Sequence, residues 1–144
     1  MASVVREIVI DAPPARVWAV VGDFAGGPVQ MSPGTLLACR LDGPDVRALT
    51  FANGDVVRER LIARDESTRR IVYGWLADEV VHDNTSMQVL ADGDERSRLV
   101  WIHDTLPDQL CAWLAPTMDR LAPIIQQALA GTAQPPTVEP RLGP

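Results

Sequence analysis

The chain has little of what several functional classes require. Its 144 residues include two cysteines, two histidines, one tyrosine and two phenylalanines. Cys39 and Cys111 have no metal-ligand spacing and cannot build a disulfide framework. His82 and His103 lie far apart with no cluster of carboxylates around them, so no metal site is read and no cofactor is expected. The glycines form neither a phosphate loop nor a dinucleotide fingerprint. There is no Gly-x-Ser-x-Gly elbow, and Ser32, Ser86 and Ser97 have no His/Asp partner at a recognisable spacing. Basic residues are few: 13 against 19 acidic ones, a net charge of −6. That sign argues against nucleic acid or an anionic membrane as partner. No apolar run approaches the ~18 residues of a membrane span. Residues 1–14 are not read as a signal peptide, because Arg6, Glu7 and Asp11 interrupt the apolar run. The expected compartment is the cytoplasm, where both thiols stay reduced.

What is present is a single domain's worth of alternating pattern. Hydrophobic residues make up 47% of the chain, enough for a real core at this length. Strands are predicted at Ser3–Ile10, Thr35–Leu41, Val46–Phe51, Val56–Asp65, Arg70–Leu76, Asn84–Ala91 and Ser97–Thr105. Asp11 is expected to cap a helix that starts near Pro13 and Pro14, buries Val17, Trp18, Val20 and Val21, and stops at Gly22. A turn or short helix follows at Asp23–Pro28, then a loop at Met31–Gly34. Short polar connections, Asn53-Gly54 among them, imply consecutive hairpins and an antiparallel sheet of six to seven strands. Pro107–Ala130 reads as one long helix. Leu110, Leu114, Met118, Leu121, Ile125 and Leu129 step by three or four along it and form one stripe, although Pro116 and Pro123 each remove a backbone donor. The stripe is the expected cover for the sheet's apolar face. The space left between a curved sheet and one helix is the candidate ligand pocket. Residues 1–130 form the expected domain. Residues 131–144, with four prolines and no stripe, are expected to be a disordered tail.

The most informative stretch is Gly54–Trp75. By parity Val57, Glu59, Leu61 and Ala63 share one face of the first strand, and Arg58, Arg60, Ile62 and Arg64 the other. The arginine face is the wet one, so Glu59 points inward, where an unpaired carboxylate is costly. It reads either as a general acid or base with a raised pKa or as half of a structural ion pair with an arginine. His103 shares a face with Leu99 and Trp101; it reads as a proton shuttle or as a rim histidine with one satisfied bond. Tyr73 offers a phenol for an enolate or carbonyl oxygen, or for a backbone carbonyl. Leu61, Trp75, Met87, Trp101, Trp113 and Met118 line the expected pocket or are plain core. His82 reads as a solvated loop residue and Trp18 as core.

The ordered set of residues resembles the helix-grip fold of the START-related superfamily, also called SRPBCC. Within it the chain is similar to the polyketide cyclase/dehydrase-like branch of small bacterial proteins. The residues that carry the resemblance are Ile10-Asp11-Ala12-Pro13, Val17-Trp18 and Gly22-Asp23-Phe24. They continue with Gly54, Val57, Glu59-Arg60-Leu61, Asp65, Arg69, Tyr73 and Trp101. The chain departs from the branch at Pro28–Pro33, where Gln30 and Met31 stand in place of a frequent tryptophan. It departs again at His82–Thr85, which lacks the usual aromatic. The resemblance implies an α+β helix-grip domain with an internal apolar pocket. It also implies a cofactor-independent aldol-type cyclisation or dehydration of a polyketide-like or other hydrophobic carbonyl compound. A non-catalytic carrier or sensor of a hydrophobic small molecule is the alternative, and an interaction module using the arginine face a third. A monomer or homodimer fits either of the first two.

Overall fold

The structure, a computed structural model, describes residues 2–130; the expected tail, 131–144, lies outside the described residues. The elements in order are β1 (Ala2–Ile10), α1 (Pro14–Val21), α2 (Gly27–Met31), β2 (Leu36–Leu41), β3 (Val46–Phe51) and β4 (Val56–Asp65). Then come β5 (Arg70–Leu76), β6 (His82–Ala91), β7 (Ser97–Leu106), a single 3-10 turn (Asp108–Leu110) and α3 (Cys111–Ala130). Each strand pairs antiparallel with its neighbours in one seven-stranded sheet, ordered β1-β7-β6-β5-β4-β3-β2. The first and last strands are therefore neighbours, and α1 with α2 carries the chain from one sheet edge to the other. The hairpin turns bend where the sequence placed glycine: Gly54 and Gly93 sit at φ +94° and +83°, a region costly for residues with a Cβ.

The helix stripe is as the periodicity implies. Leu114, Met118, Ile125 and Leu129 are buried, and Leu121 packs against the core from a half-buried position. Each fully buried side chain of this kind contributes about 1.5–3 kcal/mol. Leu110 falls in the 3-10 turn, ahead of α3. Pro116 and Pro123 lie inside α3 on its exposed side. Polar ties join α3 to the sheet: Arg6 of β1 donates to Asp119 at 2.5 Å, and Gln126 donates to the Val9 carbonyl at 2.9 Å. Trp18 is core, 4% exposed, and its indole N–H donates to Glu66 at 2.8 Å.

Four local expectations change. Asp11 does not cap α1; Pro13 is the N-cap residue, and no side chain bonds the first turn. Residues 27–31 are helical, so Met31 is the last residue of α2 rather than the start of a loop. The third change is in β4, which carries a register shift between Leu61 and Ala63. The extra residue at Ile62 reverses the parity that follows it, so Ala63 faces Val72 and Arg64 faces Ile71. Arg64 thus leaves the outer arginine face; it donates to the Gly22 carbonyl at 2.6 Å and lies over the Trp18 ring. Fourth, β6 begins at His82. His82 is paired strand rather than loop, and its neighbour Asp83 is drawn into the sheet.

Candidate functional site

A row of ionisable side chains crosses the inner face of the sheet, and strand register puts it there. Arg47 stands opposite Glu59 and Glu59 opposite Trp75; one step along, Tyr73 stands opposite Thr85, and Thr85 opposite His103. Arg47 is 3% exposed. Its guanidinium bonds the Glu59 carboxylate at 2.7 and 2.8 Å and the Phe24 carbonyl at 2.9 Å. It also lies 4.4 Å from the centres of both the Phe24 and Tyr73 rings, a double cation–π arrangement. Burial pushes the Glu59 carboxyl above the ordinary carboxylate range, and Arg47 pulls it part of the way back. Burial opposes the charge on Arg47, but Glu59, Tyr73 and Cys39 together outweigh it and hold the guanidinium more firmly charged. Burial, then the Glu59 charge, push the Tyr73 phenol well above its usual value. Tyr73 therefore keeps its proton near neutral pH and can donate it.

At the other end of the row His103 Nε2 meets Asp83 Oδ1 at 2.5 Å. The Asp83 side chain is 1% exposed and that of His103 11%. The second Asp83 oxygen accepts the Trp75 backbone N–H at 2.8 Å. With Asp83 as the acceptor of this bond, Nε2 is its donor and Nδ1 is the ring nitrogen left over. No protein group among the described residues bonds Nδ1. Among those residues Trp101 Nε1 is the buried side-chain nitrogen or oxygen without a partner, so Nδ1 is not sealed off.

Hollows lie around this part of the sheet, and one of them is lined by Arg58, Arg60, Ile62, Trp75 and Asp83 among others; three more bear on the pocket. One, of about 310 Å³, lies between the start of α3 and the β3–β4 hairpin, lined by Phe51, Val57, Trp113, Thr117, Arg120 and Leu121 among others. Trp113 also lines a second hollow, with Val57, Trp75 and Leu110. A third, beside α1, includes Phe24, Leu61 and Arg64. Trp113 is 52% exposed and stacks at a tilt on Trp75, ring centres 5.5 Å apart. Of the residues singled out from sequence, Glu59, Tyr73 and His103 come together on the inner face. Met87, Trp101 and Met118 are buried beside them, 2%, 7% and 1% exposed. Leu61, Trp75 and Trp113 line the openings. Sequence reasoning missed Arg47 and Asp83. The inward Glu59 was a signal that a cation must face it from the next strand. The period-two series Asp83, Thr85, Met87, Val89 was a signal that β6 starts early. Among the described residues no three His, Cys, Asp or Glu side chains gather as metal ligands, and no helix is long and apolar enough to cross a membrane.

A seven-stranded antiparallel sheet gripping one long C-terminal helix is the helix-grip α+β architecture. A family model described as "Polyketide cyclase / dehydrase and lipid transport" matches residues 1–134, and the chain belongs to that family. Solved structures agree on the fold. An aromatase/cyclase from a Streptomyces species superposes with TM-score 0.72 at 22% identity, covering 92% of this chain and 93% of that one. A START superfamily protein from Mycobacterium smegmatis gives 0.67 at 16%, covering 91% and 96%. A truncated norcoclaurine synthase from Thalictrum flavum gives 0.69 at 15%, covering 90% and 91%. No curated protein matches the sequence. Family and neighbours together support a cyclase-like or ligand-binding role.

Proposed function

We propose that the chain is a cofactor-independent cyclase or dehydratase acting on a polyketide-like or other hydrophobic carbonyl compound held between the sheet and α3. The observation that carries the reading is the Asp83–His103 pair on the inner face, 2.5 Å apart. In this reading His103 Nδ1 takes the proton next to the substrate carbonyl. Asp83 fixes the ring and steadies the imidazolium that forms. The protonated Tyr73 phenol donates to the developing enolate oxygen. In a dehydration the imidazolium returns the proton to the β-hydroxyl, which leaves as water. Glu59, gripped by Arg47, has a holding role: together they fix Tyr73, since Arg47 lies over its ring. Leu61, Trp75, Met87, Trp101, Trp113 and Met118 supply the apolar walls. The aromatase/cyclase neighbour supports the reaction class by its name.

The second reading is a carrier. It is favoured by one feature: the linings of the hollows described above include none of Glu59, Tyr73 and His103. A neutral probe ketone, 2-tetralone, separates the two. An enzyme of this design exchanges its α-protons with deuterated water above the buffer rate, followed by NMR. His103→Asn and Asp83→Asn should lower that exchange by on the order of 10²-fold or more while calorimetry still detects probe binding. Binding with exchange at the buffer rate would leave the carrier reading in place of the enzyme.

A further inference from the structure

The 310 Å³ hollow beneath the first half of α3 mixes apolar walls with a cation that has no carboxylate partner among the described residues. Phe51, Val57, Trp113 and Leu121 supply the apolar surface. Arg120 lines the same hollow, and its one bond among the described residues is a long one, 3.5 Å, to the Thr117 hydroxyl. Two carboxylates belong to its surroundings, Asp55 and Asp119. Asp55, which also lines the hollow, accepts from the Asn53 side-chain amide at 3.1 Å, while its backbone N–H bonds the Asn53 side-chain oxygen at 2.9 Å. Asp119, the preceding residue, is bound to Arg6 on the sheet side of α3. Three arginines on the sheet differ from it. Arg6, Arg47 and Arg64 each have a carboxylate within salt-bridge distance; Arg120 has none among the described residues.

We infer that this hollow is a binding subsite for a ligand with an aromatic or alkyl body and a carboxylate. The body lies between Trp113 and Phe51, and the carboxylate meets the Arg120 fork. The chemistry is that of the guanidinium: a planar array of donors whose geometry matches a carboxylate two bonds at a time. A cation on a partly enclosed apolar rim binds its counter-charge more strongly than one on an open surface, because less water competes. The volume has room for a ring system of two fused rings. Val57 is two residues before Glu59 on the same strand face, so a ligand anchored at Arg120 points its body toward the buried row. This goes beyond the proposed reaction, since it holds for an enzyme and for a carrier alike.

The test uses the full chain and two probes of the same shape, 2-naphthoate and 2-naphthamide, titrated by calorimetry at low ionic strength. The carboxylate should bind about tenfold more tightly than the amide, and 0.5 M salt should shrink the gap. Arg120→Gln should bring naphthoate down to the amide's affinity without changing the amide. Arg120→Lys should keep part of the preference. Trp113→Ala should weaken both probes alike. Equal affinity of the two probes for the unaltered chain overturns the inference, as does a preference that survives in Arg120→Gln or no binding of either probe. Arg120 is exposed, so a melting curve should confirm that its variants fold. The exchange assay above uses a neutral ketone, so the two proposals fail separately.

Discussion

Replacing Arg47 by methionine would test the buried row most sharply. Met fills much of the arginine stem's volume and keeps an apolar surface against Phe24 and Tyr73, but it removes the charge. Glu59 is then left in a site where its side chain is 14% exposed, with neither of its two bonds from Arg47. Stripping one partner from such a pair costs about 3–5 kcal/mol. At roughly 3 °C per kcal/mol for a domain of this size, the melting temperature should fall by about 10–15 °C. The effect has a pH signature. The folded-state pKa of Glu59 is already raised above its unfolded value by burial, and losing Arg47 removes the opposing pull and raises it further. A folded state that holds the proton more tightly than the unfolded chain gains stability below the unfolded pKa, about 4.3. It loses that gain as pH rises through the folded pKa. The deficit of Arg47→Met against the unaltered protein should therefore be small at pH 4.5 and widen toward pH 8. The double variant Arg47→Met/Glu59→Leu removes the stranded acid. It should recover about 2 kcal/mol or more of the loss and flatten the added pH dependence. Urea unfolding followed by circular dichroism, for both singles and the double at four pH values, gives all these quantities. A single-variant cost under about 1 kcal/mol, or a double variant no more stable than Arg47→Met, would refute the view that the pair is electrostatically coupled in the interior.

Two further outcomes follow from close contacts. A Cβ added at Gly74 would come within 2.7 Å of the Asp83 carbonyl, so Gly74→Ala should push β5 and β6 apart where Asp83 reaches His103. It should cost about 1–3 kcal/mol and shift the His103 ring signals in NMR; an unshifted His103 would show that the backbone yields elsewhere. Ser97, fully buried, donates to the Ala12 carbonyl at 2.7 Å. Ser97→Ala leaves that carbonyl without its hydroxyl partner and should cost about 1–3 kcal/mol in urea unfolding, whereas a cost near zero would mean that the carbonyl finds another donor.

The fold was legible in the sequence because its signals are local. Alternation with period two marks which residues of a strand share a face, and Gly43, Gly54 and Gly93 mark where hairpins turn at positive φ. Leu114, Met118, Leu121, Ile125 and Leu129 mark the helix face that seeks cover. Those signals sufficed for the sheet, the long helix and the inward direction of Glu59. The candidate site was legible only in halves. Glu59 and His103 each declared themselves as polar groups on an apolar face, but not their partners, which sit 12 and 20 residues away on neighbouring strands. Parity assigns a side chain to a face, whereas pairing depends on register, and register is settled by the whole sheet at once. One extra residue at Ile62 was enough to reverse the faces of Ala63 and Arg64. Two more residues at the start of β6 turned Asp83 from a loop residue into the buried partner of His103. That Glu59 and His103 lie inside was written in the chain's alternation. Which charge answers which was decided by tertiary structure, because an electrostatic partner is chosen by distance in space and the sequence holds only distance along the chain.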